Sequence, residues 1–125
     1  MDPRVAHVLT RMDEALHQPI SIAELAANVN LSPSRLSHLF TQQVGMPPAR
    51  YLHERRLARA RVLLERTFLS VKQVMACVGI NDPSHFARDF RRLHGVPPSQ
   101  LRQHSWAADR PRQEPPTNDG NGQDF

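Results

Sequence analysis

Two short stretches of the sequence carry polar and basic side chains along one side of a predicted helix. Each stretch follows a residue pair that is typical of a helix start, Ser32-Pro33 in the first case and Asp82-Pro83 in the second. Arginine can bond guanine through two parallel hydrogen bonds, and histidine and serine can donate to several base edges. The outward side chains are Ser34, Arg35, Ser37, His38, Thr41 and Gln42 in the first stretch, and Ser84, His85, Arg88, Asp89, Arg91 and Arg92 in the second. These residue types favour recognition of DNA by both stretches.

The two stretches belong to two copies of one helix-turn-helix pattern. In the first copy, Ser21 and Glu24 form a predicted capping box, a tight turn follows at 28–31, and a second helix runs from Pro33 to Gly45. The pattern returns after residue 70, with one inserted residue near Asn81. The matched pairs include Ser21 and Ser70, Leu25 and Val74, Val29 and Val78, Pro33 and Pro83, Leu36 and Phe86, Phe40 and Phe90, Gly45 and Gly95, and Pro48 and Pro98. Apolar, proline and glycine positions all agree, so we interpret the pattern as an internal repeat.

Three further helices complete the predicted fold. The first has its apolar residues on one stripe and ends before Pro19, and the last runs from Pro98 to His104. Between the repeats, the chain from Pro48 to Arg66 contains neither glycine nor internal proline, which predicts one long helix. At ~1.5 Å per residue this helix would span about 28 Å, close to the ~34 Å between successive major-groove faces on one side of DNA. We therefore expect two recognition helices in consecutive major grooves.

The elements together predict an all-α fold in which two helix-turn-helix subdomains are joined by a long linker helix, with about seven helices in total. The double helix-turn-helix domain is expected to cover residues 1–107. Subdomain 1 then covers about 3–46, the linker helix about 48–66 and subdomain 2 about 70–105. Residues 108–125 are predicted to form a disordered tail, because their composition cannot build a core.

The charge distribution suits a polyanionic partner. The chain has 125 residues and a formal net charge of +4. The segment after Arg110 contains one arginine and three acidic residues, so its net charge is −2 and the first 110 residues carry +6. Arginine supplies nearly all of the excess, and arginine pairs with phosphate through a two-pronged contact.

Motifs for catalysis, cofactors, metals and membranes do not occur in the sequence. The seven histidines have no i, i+4 pairing, and His53-Glu54 lacks the second histidine of a zinc-protease motif. Phosphate-binding, dinucleotide-binding and nucleophile-elbow motifs are also missing, so we expect neither an enzyme nor a cofactor. The apolar stretches are too short for a signal peptide or a membrane helix, which makes the cytoplasm the expected location. Cys77, the only cysteine, is expected in the core.

Two segments, 31–45 and 79–99, resemble the two signatures of the AraC/XylS family of transcription regulators. The resemblance covers residues 3 to about 105 and is most pronounced in the first signature and in residues 1–5. It implies that Ser34, Ser37 and His38 in the first repeat, and Ser84, His85 and Arg88 in the second, face the bases. We assign contacts with the DNA backbone to Arg35, Gln42, Arg91 and Arg92.

The second signature departs from the family pattern at two positions. Ile80 stands where phenylalanine is more frequent, and Pro83 occupies a site where other members can place a polar reader. We therefore expect the first repeat to supply more of the base readout and the second more of the backbone contacts.

The function expected from the sequence is sequence-specific binding of double-stranded DNA in the regulation of bacterial transcription. The family resemblance implies activation through contacts with RNA polymerase. The alternative is a protein-protein adaptor, whose basic helices would dock an acidic partner without reading DNA sequence. Family members usually join such a module to an effector-binding, dimerising domain. The chain is therefore either an excised carboxyl-terminal half, which the resemblance favours, or a stand-alone member of the family. By itself it is expected to be monomeric and to dimerise only through such a domain.

Overall fold

The computed structural model describes residues 1–101, and within them the regular structure is entirely helical. Helical backbone also covers 98–101, the start of the predicted last helix. With this segment the described residues contain seven helices, which confirms the expected all-α class. The predicted end of the last helix at His104 and the predicted disordered tail at 108–125 lie outside the described residues. The six bounded helices are α1 (Pro3–Glu14), α2 (Ile22–Asn28), α3 (Pro33–Val44), α4 (Pro48–Arg66), α5 (Val71–Cys77) and α6 (Pro83–His94).

The chain divides into two compact units, the first formed by Met1–Arg56 and the second beginning at Leu57. In the first unit, α1, α2, α3 and the start of α4 enclose one core. Phe40 of α3 lies at its centre and meets Tyr51 of α4 edge to face, with 5.6 Å between ring centroids. The buried residues of this core are Val5, Val8, Met12, Leu25, Ala26, Leu36, Phe40 and Leu52.

The second unit repeats this arrangement, with the carboxyl-terminal half of α4 in the place that α1 takes in the first. Leu57, Ala60 and Leu64 of α4 are fully buried, at the same i, i+3, i+7 spacing as the buried residues of α1. They pack with α5 and α6 around Phe86 and Phe90. The remaining buried residues of this core are Val74, Met75, Val78 and Leu101. The helix predicted as a linker is therefore also the first helix of the second unit.

Local hydrogen bonds explain why the chain turns sharply before α3 in the first unit and before α6 in the second. Ser21 and Glu24 begin α2 with a capping box, and Ser70 and Gln73 begin α5 in the same way. After α2, the backbone N–H of Leu31 donates to the carbonyl of Ala26 at 2.9 Å. After α5, the corresponding bond joins Ile80 to Met75 at 3.0 Å. Both bonds have the span of a Schellman motif, which ends one helix and redirects the chain towards the next.

The end of the first helix differs from the prediction. Helix α1 ends at Glu14 rather than shortly before Pro19. The guanidinium of Arg56 donates to the carbonyls of Leu16 and Gln18, at 2.9 Å and 2.7 Å, and these bonds stabilise a turn in place of a further helical turn.

Cys77 was expected in the core and is exposed. Because Val74 and Met75 of α5 and its C-cap residue Val78 are buried, the inner side of the helix is centred between these residues, and Cys77 lies on the flank beyond Val74.

Candidate nucleic-acid interface

Helix α3 separates an apolar inner side from a polar outer side. Ser32 caps the helix by accepting a hydrogen bond from the backbone N–H of Arg35 at 3.1 Å, and Pro33 occupies the first turn. Leu36 and Phe40 are buried, which fixes the rotation of the helix about its axis. Of the residues predicted from the sequence, Ser34, Arg35, His38 and Gln42 are exposed, and Ser37 is half-buried.

Three of these side chains line one open cavity together with a residue that the sequence did not single out. The cavity has a volume of about 470 Å³, and Ser34, Arg35 and His38 line it with Arg4 of the first turn of α1. The two remaining lining residues, Leu31 and Leu39, are half-buried. The sequence feature that could have indicated Arg4 is its position as a basic residue directly after the Asp2-Pro3 helix start. Two arginines and a histidine around one cavity give this part of the first unit an excess of hydrogen-bond donors, two of them cationic side chains.

Helix α6, like α3, has an apolar inner side and a polar outer side. Phe86 and Phe90 are buried, and their rings lie 5.6 Å apart between centroids. The predicted site residues of this helix, Ser84, His85, Arg88, Arg91 and Arg92, are all exposed. The polar sides of α3 and α6 are therefore both presented to solvent, as the repeat predicts.

Acidic residues distinguish the α6 side from the α3 side. Helix α3 contains no acidic residue, whereas α6 contains Asp89 and is capped by Asp82. Asp89 was predicted to point outward, but it is half-buried, and its carboxylate lies 3.4 Å from both Arg88 and Arg92. Two of the three arginines on α6 therefore already have a carboxylate partner in the folded protein.

Asp82 also engages a predicted base-facing residue. Its carboxylate accepts a hydrogen bond from the backbone N–H of His85 at 3.1 Å, and its second oxygen lies 3.3 Å from Nδ1 of the same histidine. The backbone bond from His85 is the largest of the influences that lower the pKa of Asp82 below its usual value. The carboxylate is therefore charged at neutral pH and attracts the imidazole ring.

His94, at the last turn of α6, has a structural position. Because arginine can only donate, Nδ1 of His94 accepts from Arg61 at 3.4 Å, and Nε2 must then carry the proton that it donates to the carbonyl of Leu57 at 3.2 Å. The imidazole also packs on Phe90, with 4.4 Å between ring centroids. Burial lowers the pKa of His94, and the Arg61 cation acts in the same direction. The neutral ring thus joins α6 to α4 within the second unit.

The described part of the chain contains neither a metal-binding cluster nor a membrane-spanning helix. Among residues 1–101, no group of three histidine, cysteine, aspartate or glutamate side chains is arranged to hold a metal ion. Within the same range, no helix has the length and apolar character needed to cross a membrane.

Comparison with known proteins identifies the class of domain. A family model described as a helix-turn-helix domain matches residues 25–104. The chain belongs to the family of AraC-type helix-turn-helix domains, whose members are DNA-binding parts of transcriptional regulators and not enzymes. The resemblance expected from the two signatures is thereby confirmed.

Curated relatives match the chain over most of its length. The HTH-type transcriptional regulator GbdR of Pseudomonas aeruginosa is 36% identical over 101 residues, which are 81% of this chain and 28% of the relative. The arabinose operon regulatory protein of Escherichia coli is 37% identical over 103 residues, which are 82% of this chain and 35% of the relative. The chain thus spans about a third of the length of these relatives.

Solved structures show the same fold. A transcriptional regulator with an AraC-type DNA-binding domain from Chromobacterium violaceum is 30% identical to this chain, with a TM-score of 0.76. The match covers 82% of this chain and 92% of the Chromobacterium chain. The DNA-binding domain of the global transcriptional factor AdpA, solved in complex with a target DNA, is 29% identical with a TM-score of 0.79. The match covers 88% of this chain and 98% of the AdpA domain.

Proposed function

We propose that this chain binds double-stranded DNA sequence-specifically and thereby regulates bacterial transcription, with α3 and α6 each presenting its polar side to base edges in a major groove. The observation that carries the proposal is the matched exposure of polar and basic side chains on α3 and α6. Both helices bury two residues at i, i+4, Leu36 and Phe40 in one unit and Phe86 and Phe90 in the other. The target DNA in the AdpA complex supports the same partner for this chain.

The proposed contact residues fall into two groups, base-facing and backbone-facing. Arginine, histidine and serine can contact base edges, and arginine and glutamine can also contact phosphate oxygens. The proposed base-facing residues are Ser34, Ser37 and His38 in the first unit and Ser84, His85 and Arg88 in the second. The proposed backbone contacts are Arg35, Gln42, Arg91 and Arg92. Ser37 is the least exposed member of the first group, so its proposed contact is short-ranged.

The two units are proposed to contribute unequally. On α6, the carboxylates of Asp82 and Asp89 already pair with His85, Arg88 and Arg92. These carboxylates place negative charge beside the side chains that would contact DNA, and this charge repels the phosphates. Helix α3 contains no acidic residue, which supports a larger share of base readout for the first unit.

The test is a selection of binding sites from randomised duplexes with the purified chain. Enrichment of a defined sequence motif is the expected result. A rival function is that of a basic helical adaptor for an acidic protein, which the charge of the chain also allows. Because both kinds of binding weaken with salt, only sequence discrimination separates them. Recovery of unenriched, random sequences would overturn the DNA-reading proposal and favour the adaptor.

Three further properties are proposed together with this function. The protein is proposed to activate transcription through contacts with RNA polymerase. It is also proposed to act in the cytoplasm, where the bacterial chromosome lies. The chain by itself is proposed to be a monomer. Transcription in vitro from a template carrying the selected site tests the first property: a transcript level that stays the same or falls when the protein is added would contradict activation. Sedimentation equilibrium of the chain tests the monomer.

A further inference from the structure

The cavity beside α3 brings the start of α1 into the same place as the proposed base-facing residues. Arg4 of α1 lines this cavity with Ser34, Arg35 and His38 of α3. Its side chain remains 47% exposed, so the guanidinium is accessible from solvent. Arg4 is not part of the core of the unit, so core packing does not explain a charged residue at this position.

Arg4 is held in place by a chain of hydrogen bonds that begins on α3. Gln43, in the last turn of α3, accepts a hydrogen bond from the backbone N–H of Asp2 at 2.8 Å. The Asp2 carboxylate caps α1 by accepting from the backbone N–H of Arg4, also at 2.8 Å. The same carboxylate accepts from Nε and Nη2 of Arg4, at 3.1 Å and 2.9 Å. The start of α1 is therefore fixed to α3, and the guanidinium is fixed to the start of α1.

A guanidinium has five N–H donors, and the contact with Asp2 uses two of them. The remaining donors are attached to nitrogens that are oriented before any ligand arrives, which lowers the entropic cost of a further contact. Asp2 also raises the pKa of Arg4, through their hydrogen bonds first and their charge attraction second, so the cation is permanent. A planar, oriented cation of this kind matches a phosphate oxygen pair.

We infer that Arg4 is a contact for a DNA backbone phosphate, which extends the interface of the first unit from α3 to the start of α1. The inference rests on the proposed function, because it takes DNA as the ligand. The phosphate belongs to the strand that borders the groove occupied by α3. Arg4 adds affinity without sequence preference, and together with Arg35 it fixes the position of His38 relative to the bases.

The experiment compares Arg4→Gln with Arg55→Gln. Arg55 is a matched control, because it lies in the same unit, is 44% exposed and donates from Nε and Nη2 to a single aspartate, Asp13. Each variant removes one positive charge and one exposed ion pair. Affinity for the selected duplex and for a scrambled duplex is measured at several salt concentrations.

For Arg4→Gln, the slope of log affinity against log salt is expected to become shallower by about 0.9, since one phosphate contact is lost. The loss of affinity between 50 and 200 mM salt then shrinks by about 3.5-fold. Affinity for both duplexes should fall by the same factor, Arg4→Lys should retain the wild-type slope, and Arg55→Gln should behave like the wild type. A wild-type slope in Arg4→Gln, or an equal change in Arg55→Gln, would overturn the inference.

The design separates this inference from the proposed function. The slope is measured on the scrambled duplex as well, where base readout plays no part. Failure of the wild type to prefer the selected duplex would contradict the proposed function, whereas the slope of Arg4→Gln on scrambled DNA would still decide whether Arg4 contacts phosphate. Thermal unfolding of each variant verifies that the fold is retained.

Discussion

Asp82 caps α6 and also contacts the ring of His85, with the backbone N–H of His85 3.1 Å from one carboxylate oxygen and its Nδ1 3.3 Å from the other. The equivalent position in the first unit is Ser32, which caps α3 without charge. The two units therefore share the capping geometry but differ in charge directly beside the residues proposed to read DNA. Substitutions at Asp82 and Ser32 can therefore exchange this difference in charge between the units.

An exchange of the two caps should change affinity for DNA in opposite directions. Asp82→Ser removes a negative charge beside the DNA and releases His85, while serine still caps the helix. We expect tighter binding to every duplex and a salt slope steeper by about 0.9. Ser32→Asp should give weaker binding and a shallower slope. Titrations by fluorescence anisotropy measure both effects, and unchanged affinity in both variants would show that the caps lie away from the DNA.

Base-facing and backbone-facing residues should separate in their effect on specificity. His38→Ala and Arg88→Ala are expected to lose about 1–3 kcal/mol of discrimination between the selected duplex and single-base variants of it. Arg35→Ala and Arg92→Ala should instead weaken binding to all duplexes alike and reduce the salt slope by about 1. Competition binding with a panel of duplexes checks both. Uniform weakening by His38→Ala or Arg88→Ala would reassign that residue to a phosphate.

The stability of the second unit should depend on pH through His94. Its folded-state pKa is lowered from 6.5, so the unfolded chain binds more protons than the folded protein between the two values. The contribution of the neutral ring is fully present above about pH 6.5, decreases as the pH falls below that value, and levels out below the folded-state pKa. Denaturant unfolding at intervals from pH 7.5 to pH 5 measures this decrease.

The control for this prediction comes from the repeat. Val44 occupies the position in α3 that His94 occupies in α6, so His94→Val is compatible with the local packing. The variant should lose the part of the pH dependence that belongs to His94. An identical pH profile in the variant and the wild type would refute the role of the neutral ring.

The turn before α6 should tolerate asparagine better than alanine at position 79. Gly79 has a φ of 74°, a left-handed conformation that costs L-residues about 1–2 kcal/mol. The equivalent residue of the first unit, Asn30, adopts a φ of 58°, and asparagine is among the side chains that accept this region. Gly79→Ala should therefore destabilise the protein by about 1–2 kcal/mol and Gly79→Asn by less. Equal losses in urea unfolding would contradict this explanation.

The sequence predicted the course of the helices because strong local signals mark their ends. Pro33 and Gly45 bound α3, and the predicted helix from Pro48 to Arg66 coincides with α4. Because Pro83 and Gly95 are the repeat equivalents of Pro33 and Gly45, the same signals predicted the ends of α6. The double role of α4 was missed, although Leu57, Ala60 and Leu64 carry the spacing of the buried residues in α1.

Side-chain pairing at the surface was less predictable than the backbone. The distances from Asp89 to Arg88 and Arg92 depend on rotamers, which sequence spacing alone does not determine. Arg4 was overlooked because its position beside α3 depends on a bond between residues 41 apart, Asp2 and Gln43. Long-range contacts of this kind require the folded chain.

The most direct test of DNA reading by this chain is the ratio of two dissociation constants at one salt concentration, for the selected duplex and for a scrambled duplex of the same composition. Specific DNA-binding proteins typically prefer their site by a factor of about 10³ or more, and we predict a ratio in this range. Equal dissociation constants for the two duplexes would contradict sequence-specific recognition by α3 and α6.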